Sequence, residues 1–287
     1  MLNNAYQKIL YYILTILIII LFSLIYARFI GPIGLNTKEI PYHTKTIDDG
    51  YNGLKIIHFS DLYYKNSITN KQINNVIEEI NRLKPDIVIF TGGLVNEHEN
   101  INSSEIKFLI KKLSKIESTY GNFAILGKND YKDLDLVKSI YIQSNFTILD
   151  NDYSIIHNEN NEQIFIGGVS SYLKNEADID KVMNYFNENP DINFKIVLTH
   201  EGDYINTILN KYHNINMILS GNSINGSINI PGIKQLLLPD GSKNYYKPYY
   251  KKNNTDIYIS NGIGFNNLNL RLFNHPSINF YRIKKAS

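Results

Sequence analysis

Five polar turns, each following a strand-like apolar run, hold the residues of this chain best able to do chemistry. They are Ser60-Asp61-Leu62-Tyr63, Thr91-Gly92-Gly93-Leu94, Gly127-Lys128-Asn129-Asp130, Thr199-His200-Glu201 and Gly221-Asn222-Ser223-Ile224. Asp61 could cap a strand end or pair with Lys128. His200 suits a hydrogen-bonded position at a strand end or, with partners, a ligand role. Glu97, His98 and Glu99 form a second acidic and imidazole group, and Tyr63 with Tyr64 could offer a platform to a sugar or lipid head group. With 22 tyrosines in the chain, packing is the plainer role for those two. The last turn has the glycines of a ligand-presenting loop, yet Asn222, Ser223, Ile224 and Asn225 supply no strong metal ligand, acid or base.

The elements that must carry these turns alternate. LKIIHFS (54–60) is a buried-strand run, 69–83 places Ile73, Val76, Ile77 and Ile80 at helical spacing, and DIVIFT (86–91) is a second strand. Helices over 104–116, 133–143 and 176–186 then interleave with strands FAIL, FTIL, IFIGGV and KIVLTH. Such alternation predicts an α/β domain with buried sheets. In sheets of this kind ligands bind beyond the carboxyl ends of the strands, where all five turns lie. Residues 227–283, mostly short strand and loop, suggest an edge sheet that closes the domain.

At 287 residues, 43% of them hydrophobic and 20% charged, the chain can bury a core of ordinary size. Its 29 basic and 27 acidic residues are interspersed, which argues against a nucleic-acid partner. The absence of cysteine excludes disulfides, thiolate metal sites and cysteine nucleophiles. ILYYILTILIIILFSLIYA, residues 9–27, is an uncharged run of 19 residues, long enough to cross most of a ~30 Å hydrocarbon layer. It exceeds the ~7–15 residue apolar core of a signal peptide, and Ile25-Tyr26-Ala27 lacks the small residue expected at the third position before a cleavage site. The expected organisation is a transmembrane anchor over 1–30, a polar tether over 31–50 and one globular domain over 51–287. That makes a single-pass cell-membrane protein, with the domain placed on the extracytoplasmic side.

GLKIIHFSDL, PDIVIFTGGLV, YGNFAILGKNDY, FKIVLTH, MILSGNSINGSINIP and IYISNGIGFNNLNLRLFNHPSINF resemble, in order and spacing, the calcineurin-like metallophosphoesterases, in particular their membrane-anchored bacterial branch. The resemblance covers the chain from about Leu54 to its end. It implies a four-layer αββα sandwich of two mixed sheets behind the transmembrane helix. It also implies two divalent ions clamping a phosphate and generating a hydroxide, held by oxygen and imidazole donors that suit Mn, Fe or Zn. The family builds that centre from Asp-x-His, Gly-Asp, Gly-Asn-His-Asp, a lone His and Gly-His-x-His.

Matched position by position, Asp61 and His200 keep the family's ligand types and Asp130 keeps the acid that orients the catalytic histidine. Tyr63, Gly93, Lys128, Asn222 and Ile224 replace five of seven ligands, and Asn129 replaces the catalytic histidine. Gly93 stands where the carboxylate bridging both ions belongs, and two cations repel strongly without one. The expected remnant site is Asp61, Lys128, Asn129, Asp130 and His200, with a Lys128–Asp61 ion pair in place of the metals. No cofactor is expected, the alternative being one divalent ion. The expected function is a pseudoenzyme acting as a binding or scaffold module for a protein or a small phosphate-containing ligand. The alternative is a phosphoesterase of altered or weak activity on a lipid or nucleotide phosphate.

Overall fold

The computed structural model describes residues 2–65, 67–96, 100–174, 176–188, 192–230, 235, 238–265 and 270–286. Helix α1 (Leu2–Phe29) stands apart, its side chains mostly exposed, and its 26 residues from Asn4 to Phe29 are long and apolar enough to cross a membrane. The chain then enters a first sheet with β1 (Asn36–Thr44), β2 (Lys55–Phe59), β3 (Ile87–Phe90), β4 (Gly121–Ala124) and β5 (Phe146–Ile148). It crosses to a second with β6 (Asp152–His157), β7 (Gln163–Gly168), β8 (Phe194–Thr199), β9 (Met217–Ser220), β10 (Tyr249–Lys252) and β11 (Thr255–Ile259). The last strand, β12 (Ser277–Lys285), returns to the first sheet.

The strand orders are β1-β12-β2-β3-β4-β5 and β10-β11-β9-β8-β7-β6. Both sheets are mixed, since β12 runs antiparallel to β2, β10 to β11 and β6 to β7 among otherwise parallel pairs. Alternation along each strand builds the layers. Ile56, Ile87, Ile89 and Ile125 face Ile164, Ile196, Leu198 and Leu219 in the core between the sheets. Their neighbours Ile57, Phe59, Val88 and Phe90 turn the other way, beneath α2 (Asn70–Arg82), α3 (Ser103–Leu113) and α4 (Leu134–Gln143). Phe165, Val197 and Ile218 do the same on the second sheet under α5 (Ile179–Met183), α6 (Tyr185–Glu188) and α7 (Ile205–Lys211). The result is the expected αββα sandwich, its strands continuous apolar runs because both faces are covered.

The stretch expected as a tether over 31–50 is largely structured. Residues 36–44 pair in parallel with β12 along its whole length, from Asn36 opposite Ser277 to Thr44 opposite Lys285. The pattern escapes a local reading because this is an edge strand with one paired side, and Pro41 is tolerated there for that reason. The expected closing sheet also divides: β10 and β11 edge the second sheet, whereas β12 is interior to the first.

Candidate functional site

The carboxyl ends of β2, β3 and β4 meet those of β8 and β9 at one rim, and two hydrogen bonds stitch the sheets together there. The Asn222 amide donates to Asp61 Oδ2 at 3.1 Å, and His200 Nδ1 donates to the Thr91 carbonyl at 2.6 Å. Bonding to a carbonyl fixes the proton on Nδ1 and points Nε2 toward Asp61. The gap from His200 Nε2 to Asp61 Oδ1 is 3.8 Å, and neither atom has a hydrogen-bond partner among the described residues. Both residues are buried, as are Tyr63, Asn129, Asp130 and Asn222.

The turns hold uncommon backbone. Asp61 (φ 55), Tyr63 (φ 44), Asn222 (φ 61) and Ile224 (φ 42) all adopt left-handed conformations, as do Gly92 and Gly93. For a β-branched residue such as Ile224 this is an outlier, and such strain persists only where the surroundings impose it. Asp130 is one source of that constraint. Its Oδ2 accepts from the amides of Gly93 and Gly127 and its Oδ1 from Leu94, binding the second and third turns together. Burial pushes its carboxyl up, against the downward pull of those amides and of His200. Glu201, also buried, is held by Ser171 Oγ and the Tyr172 amide. The Tyr63 hydroxyl is pushed well above its usual range by burial first, then by the carboxylates of Asp61, Asp130 and Glu201 around it.

The structure brings Asp61, Asp130 and His200 to one place but does not form the expected Lys128–Asp61 ion pair. Lys128 opens a 3-10 turn (Lys128–Asp133) and is half-buried. Asp61 instead takes bonds from Ser60 Oγ and the Asn222 amide, with His200 opposite. The buried cation whose charge acts on Asp61 is Arg271, which the sequence did not mark. Arg271 is fully buried, and its guanidinium donates to the carbonyls of Asn261 (3.0 Å), Gly262 (3.1 Å), Asn274 (3.3 Å) and Gly264. Burial lowers its pKa to about 10, and the Asp61 charge acts to raise it. Arg271 falls on the polar phase of the alternating run Asn267-Leu268-Asn269-Leu270-Arg271-Leu272, a pattern that points to an outward-facing side chain and so hides its burial.

Asn222 and Ile224 are also turned to other work. Asn222 Nδ2 donates to the Asp240 carbonyl and to Ser242 Oγ, and Ile224 packs so close to Gly262 that a Cβ there would lie 2.4 Å from its Cγ2. Glu97, His98 and Glu99 lie outside the described residues. Among the described residues no group of three or more His, Asp or Glu side chains converges to hold a metal ion. A Cβ on Gly93 would lie 3.0 Å from Asp61 Cα and 3.0 Å from its Oδ1. A bridging carboxylate at this position would thus crowd the residue it would serve. Asp61 Oδ1 and His200 Nε2 supply two donors where a protein site for zinc typically supplies three or four. The residues present do not fit a dinuclear centre.

Residues 54–225 match the calcineurin-like phosphoesterase family. An uncharacterized metallophosphoesterase, YkuE, of Bacillus subtilis is 26% identical over 264 residues, covering 91% of this chain and 90% of that one. A zebrafish (Danio rerio) transmembrane protein with a metallophosphoesterase domain is 21% identical over 263 residues, 86% of this chain and 56% of that one. Among solved structures, the sulfate thiohydrolase SoxB of Thermus thermophilus, in complex with glycerol, superposes with a TM-score of 0.51 at 11% identity, covering 75% of this chain and 52% of that one. That last likeness is one of fold.

Proposed function

The chain belongs to the calcineurin-like phosphoesterase family, and from that premise we propose that it is a pseudoenzyme of the fold: a membrane-anchored binding or scaffold module without the dinuclear centre. The observation that carries this reading is Gly93. The bridging position has no side chain, and its Cβ direction runs into Asp61. The neighbouring replacements agree with it, because Asn222 and Ile224 are engaged in holding their own loop. In this reading α1 holds the domain at the extracytoplasmic face, and the rim serves a protein or a small phosphate-containing ligand.

The facing, unpartnered Asp61 Oδ1 and His200 Nε2 favour one alternative, a weak phosphoesterase using a single ion with Lys128 and Asp130 nearby. Elemental analysis of the purified full-length chain in detergent separates the two. A family enzyme with a working centre carries about two ions per chain. The pseudoenzyme reading expects far fewer, and no hydrolysis of a generic phosphodiester on addition of manganese. Manganese-dependent turnover that disappears in His200→Ala would overturn it. Sidedness is checked separately: the chain has no cysteine, so one introduced at exposed Ile142 is labelled in intact cells only if the domain is outside.

A further inference from the structure

The foot of α1 is built into the domain. Ala27 is buried, and its carbonyl accepts from the Arg271 amide at 2.8 Å. Tyr26 Oη and the Gly31 carbonyl contact opposite ring nitrogens of His275, at 3.4 Å and 3.1 Å. A Cβ on Gly31 would lie 1.8 Å from the Arg271 carbonyl oxygen, so the chain crosses itself there at backbone distance. The same segment pairs with the site loop: Leu272 donates to Ser227 O at 3.0 Å, and Asn229 donates to Leu272 O at 2.9 Å. Helix foot, residues 271–275 and the end of the site loop from Ser227 to Ile230 therefore form one continuous piece of surface.

That surface is apolar where solvent would meet it. Phe29 is 62% exposed, Ile30 53%, Ile33 67%, Phe273 63% and Ile230 37%. Phe273 adopts a left-handed backbone (φ 53) that leaves its ring outside the core. Large apolar side chains gathered at one exposed place mark an interaction surface. The occupant follows from continuity with α1. The 26 residues of α1 from Asn4 to Phe29 are about 39 Å long against a hydrocarbon layer of ~30 Å, so its last turns and the residues just past them fall within the head-group region.

We propose that Phe29, Ile30, Ile33, Ile230 and Phe273 form a collar seated in the interfacial layer of the bilayer, which holds the rim carrying Asp61 and His200 against the membrane surface. The inference rests on α1 spanning the membrane, and it deepens the binding-module reading: a ligand at this rim arrives from the plane of the bilayer. Aromatic and aliphatic side chains at this depth are favoured, because they leave water without the rim's polar groups having to follow. Arg271 couples the two features, its amide on Ala27 and its guanidinium on the Gly262 and Gly264 carbonyls, while the Gly264 amide in turn donates to the Asp61 carbonyl at 2.7 Å.

The chain contains no tryptophan, so a single Trp reports its own surroundings. Full-length Phe273→Trp and, as a second site in case one variant fails to fold, Ile33→Trp are reconstituted into vesicles with and without brominated acyl chains. Phe22→Trp, in the C-terminal half of α1 and two turns inside its end, reports the span, and Ile142→Trp, 65% exposed on α4, reports the solvent-facing body. The expected result is a blue shift and loss of emission in brominated vesicles for Phe22→Trp, Phe273→Trp and Ile33→Trp, with Ile142→Trp unaffected. If Phe22→Trp is quenched while both collar variants are not, the anchor stands and the collar proposal falls. Blue-shifted collar emission without bromine quenching means that protein covers the surface, which overturns the proposal equally. If Phe22→Trp is not quenched, the spanning helix fails and the collar with it.

Discussion

Gly93 lies against Asp61 so closely that a Cβ on it would stand 3.0 Å from both the Cα and the Oδ1 of that aspartate. Its φ of 80° adds a second obstacle to any side chain. Gly93→Asp should therefore lower stability by about 1–3 kcal/mol, the usual cost of a strained backbone conformation. It should not produce manganese-dependent phosphodiester hydrolysis, because Tyr63, Lys128, Asn222 and Ile224 still leave both ion positions open. Thermal unfolding of the full-length chain in detergent, with Gly93→Ala to isolate the steric part, gives the first number, and elemental analysis the second. A variant that binds about two ions per chain would refute the account.

Arg271, and not Lys128, is the cation whose loss should matter. Removing it takes a donor from four carbonyls and removes the positive charge that acts on Asp61. A buried acceptor left unpaired costs about 1–3 kcal/mol, so several together cost about 3–5 kcal/mol. Arg271→Met is expected in that range by urea unfolding, and Lys128→Met, at a half-buried position, within about 0.5 kcal/mol of the parent. Combining Arg271→Met with Asp61→Asn should cost less than the sum of the two by about 0.5–3 kcal/mol, the span of coupling energies for interacting residues. Strict additivity would show that the two charges do not interact.

Lys128 and Arg271 also mark where a sequence stops being legible. The strands of the sandwich are readable because both sheets are covered on both faces, so IVIF and KIVL are unbroken apolar runs. Helix α2 announces itself by spacing and by its Thr69–Gln72 capping box. The turns after each strand are readable as a rim for the same local reasons. The direction of Lys128 is not, because it depends on the Asp130 carboxylate gathering amides from two separate turns. Strand β1 needed a partner more than 230 residues away, and Arg271 needed a turn that folds the carbonyls of Asn261, Gly262, Gly264 and Asn274 around its guanidinium. The seven-residue α7, between Tyr204 and Tyr212, is too short for periodicity to reveal.

His58 gives the domain a pH dependence that can be assigned to one side chain. It sits fully buried behind the rim, with Nδ1 at 3.2 Å from the Tyr281 hydroxyl and Nε2 at 2.9 Å from Thr91 Oγ1. Burial lowers its pKa from 6.5 to about 3. The unfolded chain therefore binds a proton through this window when the folded one does not, and stability falls as pH drops from about 6.5 toward 3. At pH 4.5 the loss from this residue alone is about 2–3 kcal/mol relative to pH 7.5. Asp130 works in the opposite sense, since its raised pKa lets the folded state take up a proton more readily than the unfolded one as pH falls. Glu79, Asp150 and Asp180, whose carboxyls are held below their usual range, act in the same sense as His58 as pH falls, so the His58 share is read from the difference between parent and variant. His58→Gln keeps a polar side chain between Tyr281 and Thr91 and removes the titration. It is expected to lower stability at pH 7.5, where the imidazole hydrogen bonds are lost, and to reduce the further loss on going to pH 4.5 by about 2–3 kcal/mol. Urea midpoints for both chains at the two pH values measure this directly, and equal pH slopes would show that His58 is not the titrating group.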